Sequence, residues 1–285
     1  MGEIDNLIVL KLGGSLITFK DRPLAASLAN IRSAARAVAS ALPFLKKTRF
    51  FLLHGGGSFG HYYAKKYGLS TMLKQTRPEQ VAVTSAAMME LHSIVLKEML
   101  RAGVPCVSVL ASQIFGVASS VLTANGKAYL RTLSDSGLIP ITFGNVVVSK
   151  EGSLIVSGDN LALAMVKSFA GHKSRVVFGM DVDGIFQDEK LKGHPIDMLL
   201  EEHDISSKSR KLDVTGGVRA KVVAGFQLSR LGADVYFVNG SKHDRIVDAL
   251  KGKDTVLGTK IYSHRKSLSE LQIKPSYKNG ISESS

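Results

Sequence analysis

Short apolar blocks recur along the chain, and many of the stretches between them repeat apolar residues every three or four positions. Blocks of four to eight residues bounded by Gly, Pro, Asn or Asp read as strands, and the longer period reads as amphipathic helix. This pattern predicts strands at 7–12, 50–54, 105–109, 139–143, 146–149, 175–179, 235–238 and 257–262. Helices are expected near 24–42, 79–101, 158–170, 213–231 and 243–251. Strands alternating with helices imply an α/β fold, a mainly parallel sheet covered on both faces. Two stretches break the alternation. Residues 117–136, rich in Ser, Thr, Gly and Asn, read as a hairpin or lid, and 187–212 as a long polar loop. With no repeat or linker, 1–262 reads as one continuous domain of two halves, about 1–170 and 171–262. The remainder, 263–285, reads as a flexible tail.

Glycine punctuates this pattern at four places. Lys11-Leu-Gly-Gly-Ser15 and His54-Gly-Gly-Gly-Ser-Phe-Gly-His61 each follow a strand, whereas Ser157-Gly-Asp-Asn160 and Asp213-Val-Thr-Gly-Gly217 each open a helix. Glycine lets backbone approach a ligand closely, and a helix start offers unpaired N–H groups with a partial positive charge. Four such turns point to a polyphosphate ligand. The second turn also matches two other motifs. As a dinucleotide fingerprint it lacks the acid on a second strand ~20 residues on. As a nucleophile elbow it comes after only two strands, with its glycines fused to the serine. No Walker A sequence is present.

The charged residues beside these turns suit phosphoryl transfer, which needs charge neutralisation and alignment more than covalent chemistry. Lys11 ends the first strand, Lys20 can curl back over the same turn, and Lys221 lies early on the helix that Gly217 opens. A lone lysine is ordinarily a solvated surface charge; adjacency to a glycine turn sets these three apart. Asp159 is either a helix-start charge or a holder of lysines. Asp181 and Asp183 either cap a turn or contact nucleotide and the water around Mg²⁺. His61 ends the glycine turn with its ring near any phosphate bound there, and His54 reads as a packed core histidine. The other histidines show no metal-ligand spacing, so no protein metal site is expected.

Composition adds less. The net charge of +13 admits a nucleic-acid or anion binder, but the basic residues are scattered and no recognition motif accompanies them. No apolar run approaches the ~20 residues of a membrane span. Acids precede the first apolar stretch, unlike a secretory leader. The single Cys106, in an apolar strand, fits a core position and a reducing, cytoplasmic setting.

Taken in order, Lys11-x-Gly-Gly-Ser15, Lys20, His54–His61, Ser157-Gly-Asp159, Asp181-Val-Asp-Gly184 and Asp213-Val-Thr-Gly-Gly217…Lys221 resemble the amino acid kinase superfamily. Within it, the histidine-bearing turn with the spaced second lysine is most similar to the isopentenyl phosphate kinases. That resemblance implies an open αβα sandwich, usually a homodimer, and transfer of the ATP γ-phosphoryl to isopentenyl phosphate, with Mg²⁺, in the isoprenoid route found in archaea. It implies dimethylallyl phosphate as a second acceptor, and neither nucleic acid nor membrane as partner. By the resemblance, Lys11, Lys20, Asp159 and Lys221 are catalytic. Gly55, Gly60, His61 and Gly158 hold the acceptor phosphate. Lys11, Gly13, Gly14, Ser15, Gly56, Asp181, Asp183, Gly217 and Lys221 line ATP. Val83, Met88 and Met89 on helix 79–101 would wall the isopentenyl tail. Asn160 departs from a usual aspartate and Gly179-Met180 from a usual Leu-Thr. A fosfomycin kinase is the nearest alternative; carboxylate kinases have no need of a phosphate-binding histidine.

Overall fold

The computed structural model describes residues 6–69, 75–186, 194–199 and 216–262. Most of the predicted strands pair into one seven-stranded sheet. These are β1 (Asn6–Leu12), β2 (Thr48–His54), β3 (Cys106–Ser108), β6 (Ile139–Phe143), β9 (Lys173–Met180), β10 (Ala233–Asn239) and β11 (Thr259–Ile261). Their order is β11-β10-β9-β1-β2-β6-β3, parallel throughout except for β11, which runs antiparallel to β10.

The two-residue period of the strands divides the core. Leu7 and Val9 of β1, Phe51 and Leu53 of β2, and Val176 and Phe178 of β9 face one layer. Covering them are α6 (Ala124–Asp135), α7 (Gly158–Ser168) and α8 (Gly216–Arg230). Ile8, Leu10, Phe50, Leu52 and Val177 face the other. There they meet α2 (Leu28–Ala41), α4 (Pro78–Arg101) and α9 (His243–Lys251). Burying both faces of a parallel sheet explains why its strands read as near-continuous apolar runs.

Register sets the site. Leu12 pairs with His54 on one side and Gly179 on the other, and His54 pairs with Phe143, so these strands end level. The chain leaves β1 toward β2 but returns to β9 on its opposite side. That reversal makes a crevice at the carboxyl ends beside β1. The Gly13 N–H donates to the Gly179 carbonyl (2.8 Å) and the Gly55 N–H to the Leu12 carbonyl (2.9 Å), tying three turns together there.

The differences from expectation lie where polar residues hide regular structure. Residues 117–136 are a hairpin only at their start, where β4 (Phe115–Gly116) pairs with β5 (Val121–Leu122); the rest is helix α6. That helix begins where the Thr123 side chain accepts from the Gly126 N–H (3.0 Å), and it buries Leu130 and Leu133. Residues 146–149 belong to β7 (Asn145–Ser149), which pairs with the unexpected strand β8 (Gly152–Val156) as a separate hairpin outside the sheet. The helix expected from 24 starts only at Leu28, after Leu24 takes a positive φ of 53°. Most of the 187–212 loop and the whole 263–285 tail lie outside the described residues. No described helix is long and apolar enough to cross a membrane.

Candidate active site

The crevice opens as a cavity of about 570 Å³ lined by residues from β1, β9, the β7–β8 hairpin, α3 (Gly57–Tyr67), α4, α7 and α8 and by the turns after β1 and β2. Its floor is backbone. Two glycine turns cross so closely that a Cβ on Gly14 would fall 2.2 Å from the Gly57 nitrogen, and one on Gly55 would fall 2.9 Å from the Gly14 nitrogen. Gly57 also takes a φ of +48°, which side-chain-bearing residues resist. The first turn caps the helix that the second turn starts. Thr18 Oγ1 donates to the Gly14 carbonyl (2.8 Å) and accepts from the Ser58 N–H (2.9 Å). Among the described residues no acceptor meets the Gly56 or Gly57 N–H, leaving donors for an anion at the start of α3.

Lysines supply the charge. Lys11 occupies the last position of β1 facing the α7–α8 layer, a site the strand pattern reserves for an apolar residue. Its side chain is 5% exposed, lies over the Phe178 ring, and donates to Asp159 Oδ1 at 2.5 Å. Gly158 makes room, since a Cβ there would be 3.1 Å from Lys11 Cε. Burial alone would raise the Asp159 pKa, but the charges of Lys11 and Lys221 and the hydrogen bond from Lys11 hold it below its ordinary value. One carboxylate therefore answers two cations. Lys221 on α8 lines the same cavity, and burial, then the nearby charge of Lys11, pushes its ammonium down to about 8.

Lys20 does curl back. It reaches Asp181 Oδ2 (2.7 Å) while remaining 70% exposed, and Ser15 Oγ donates to Asp181 Oδ1 (2.8 Å). Burial pulls the Asp181 carboxyl up, and the Lys20 and Ser15 hydrogen bonds bring it net below its usual range. His61 stands on α3 at the cavity wall. Burial there and the positive Lys221 and Lys11 depress its pKa, favouring the neutral ring.

The cavity thus gathers Lys11, Gly14, Ser15, Lys20, Gly55, Gly56, Gly60, His61, Gly158, Asp159, Asp181 and Lys221. Gly217 opens α8 nearby in the chain, and Gly13 joins β1 to β9 through its N–H. Asp183 is not part of the cavity lining. It pairs with Arg245 and accepts from Asn239 Nδ2 (2.7 Å), binding the loop after β9 to the start of α9. Of the proposed tail wall, Met88 lines the cavity, whereas Val83 and Met89 face outward, 37% and 41% exposed.

The apolar side of the cavity comes instead from Met88, Ala64 and the hairpin residues Val146, Ile155 and Val156. Two apolar triplets, Val146–Val148 and Leu154–Val156, flank the polar turn Ser149-Lys-Glu-Gly-Ser153 and are the sequence trace of that hairpin. The Asn160 departure has a local explanation. Its side chain and that of Ser157 cap the start of α7 reciprocally, with Asn160 N–H donating to Ser157 Oγ (3.1 Å). The described residues contain no cluster of three His, Cys, Asp or Glu able to hold a metal.

A parallel sheet whose central strand carries a buried lysine into a glycine-floored anion cavity defines a phosphotransferase architecture of the amino acid kinase type. The chain belongs to the amino acid kinase family, whose pattern matches residues 6–239. Within that family it is similar to the isopentenyl phosphate kinase of Methanothermobacter thermautotrophicus, 30% identical over 90% of this chain and 98% of that one. The isopentenyl phosphate kinase of Haloferax volcanii is 33% identical over 76% of this chain and 86% of its own. A solved isopentenyl phosphate kinase structure superposes with a TM-score of 0.72 at 26% identity, covering 90% of this chain and all of that chain (100%).

Proposed function

We propose that the chain transfers the γ-phosphoryl group of ATP to isopentenyl phosphate, releasing isopentenyl diphosphate and ADP. The observation that carries this reading is one cavity joining a three-lysine centre to an apolar recess, with His61 at the wall. A carboxylate acceptor needs no such histidine, and a polar acceptor no such recess. An oxygen of the acceptor phosphate attacks the γ-phosphorus, and the bond from that phosphorus to the β,γ-bridging oxygen breaks. Lys11 and Lys221 neutralise the transferring group, and Lys20 stabilises the charge that spreads over it. Asp159 offsets the mutual repulsion of Lys11 and Lys221 and keeps both in place. His61, Gly55, Gly60 and Gly158 hold the acceptor phosphate, and its tail runs toward Met88 and Ile155. The nucleotide lies over Gly13, Gly14, Ser15, Gly56, Asp181 and Gly217.

Mg²⁺ would be bound as part of the nucleotide complex, where it would offset phosphate charge. Among the described residues the cavity's two carboxylates, Asp159 and Asp181, are each engaged by a lysine and form no metal cage. The half before about residue 170 serves the acceptor and the half after it the nucleotide, in a cytoplasmic homodimer.

Purified protein with Mg-ATP would be assayed for ADP release with isopentenyl phosphate, dimethylallyl phosphate, fosfomycin, UMP and N-acetylglutamate. Preference for the two isoprenoid monophosphates is expected. Faster turnover of any of the others would overturn the acceptor assignment.

A further inference from the structure

Two buried imidazoles stand beside the cavity with no part in the chemistry above. His54 ends β2 and is 0% exposed; His92 lies on α4 and is 2% exposed. His54 Nδ1 is 3.1 Å from the Gly55 carbonyl oxygen, and its Nε2 is 3.0 Å from His92 Nδ1. His92 Nε2 is 2.8 Å from Ser108 Oγ on β3. A carbonyl only accepts, so His54 Nδ1 carries a proton and donates it. Burial pushes the His54 pKa down to about 3 and that of His92 down to about 4, so both rings are neutral. A neutral His54 then offers a lone pair at Nε2, which His92 Nδ1–H must meet. His92 Nε2 in turn accepts from the Ser108 hydroxyl. The direction of every bond is fixed by the first.

This chain ends on one peptide plane. The Gly55 carbonyl and the Gly56 N–H belong to the same trans peptide and point to opposite sides of the backbone. Among the described residues Gly55 is otherwise tied only through its own N–H to Leu12, and glycines on both sides of this peptide leave its rotation sterically cheap. We propose that Ser108, His92 and His54 form a positioning relay that holds the Gly55 carbonyl inward, so that the Gly56 N–H stays a fixed donor to bound phosphate. The proposal rests on the reading of the cavity as a phosphate site. A flipped peptide would aim a carbonyl lone pair at the phosphates instead. Phe143 stacks on both rings, with centroids 5.2 Å from His54 and 4.2 Å from His92, and blocks their rotation.

The test has two arms. In ¹⁵N-labelled full-length protein without ligand, two-bond ¹H–¹⁵N spectra should show His54 and His92 both as Nδ1–H tautomers, the minor form of free histidine. An Nε2–H tautomer at either ring overturns the relay and leaves the phosphate reading untouched. In the second arm, MgADP affinity is measured by calorimetry alongside the melting temperature. His92→Leu should weaken MgADP about tenfold, the effect of misplacing one donor to a charged group. His92→Asn, whose amide N–H stands near the place of Nδ1, should restore most of it. Equal affinity in His92→Leu and wild type, or equal loss in both variants, overturns the relay. Ser108→Ala, at a half-buried strand position, guards against a misfolded His92→Leu. It should shift His92 toward the Nε2–H tautomer and weaken MgADP; an unchanged tautomer with unchanged affinity counts against the proposal. Correct tautomers in a wild-type protein without MgADP affinity would overturn the phosphate reading instead.

Discussion

Raising the pH should strip the site of nucleotide affinity well before the protein unfolds, because Lys221 is charged at a cost. Burial first, and the neighbouring charge of Lys11 next, lower its pKa from 10.5 to about 8, while Asp159 and Asp181 pull the other way. A displacement of this size corresponds to roughly 3 kcal/mol against the cation. Bound phosphates add further negative charge and should return the ammonium toward its ordinary value. By linkage, the protonated site then binds polyphosphate up to roughly 300-fold more tightly than the neutral one. Affinity for an unreactive ATP analogue should be flat from pH 7 to about 8 and then fall about tenfold per pH unit. Stability moves in the opposite direction. A lysine with a depressed folded pKa leaves the folded state with fewer bound protons than the unfolded chain between about 8 and 10.5. This group therefore adds stability as pH rises through that window, so its lost affinity is not lost fold. Calorimetric titrations from pH 7.5 to 9.5 read the effect directly. Lys221→Arg should move the fall beyond the range, and Lys221→Gln should bind weakly and without pH dependence. A wild-type affinity that stays flat to pH 9.5, or a fall that persists in Lys221→Arg, refutes the reasoning.

Other perturbations separate the remaining roles. His61→Ala should raise the KM for the acceptor phosphate at least tenfold, the loss of about one charge-assisted hydrogen bond, with nucleotide affinity nearly unchanged. Equal loss of both ligands in calorimetry would remove His61 from the acceptor site. Lys20→Ala should lower kcat more than it alters either KM, since its exposed ammonium stabilises the reacting group more than the ground state; unchanged steady-state turnover would exclude it. Asp159→Asn leaves the buried Lys11 without its counter-charge and should cost roughly 3 kcal/mol of stability. Differential scanning fluorimetry should find it less stable than wild type but more strongly stabilised by added ATP, and a melting temperature equal to wild type would show that the pair is not holding Lys11.

The parallel sheet was legible in the sequence because strands buried on both faces must be apolar almost without interruption. Lys11 was legible from its place at the end of a strand, beside a glycine turn. The glycine turns were readable because few residues tolerate backbone packed on backbone. Helix α6 was not, because polar residues dominate it while only Gly126, Leu130 and Leu133 are buried, and β8 was missed because its apolar part, Leu154–Val156, is only three residues long. Asp183 misled for a different reason. It shares a turn with Asp181, but the two side chains diverge there. Asp181 turns to the cavity, and Asp183 turns to Arg245 and Asn239. Val83 and Met89 misled similarly, since helix α4 has a long apolar composition and only its Thr84 and Met88 reach the cavity. The His54–His92 contact joins residues 38 apart in sequence, and no local pattern announces it.

The interlocked turns at Gly14 and Gly57 bear on how such a catalyst can diversify. Where main chain presses on main chain, no substitution retunes the grip on phosphate by degrees; each side chain added there breaks it. On the proposed reading, the phosphate-holding part of the molecule is thus inherited whole or lost. Innovation has to work from the rim, through residues such as His61, Met88 and Ile155, whose side chains can change size or polarity while the floor stays fixed. A lineage built on this plan can exchange acceptors readily and still keep phosphoryl chemistry.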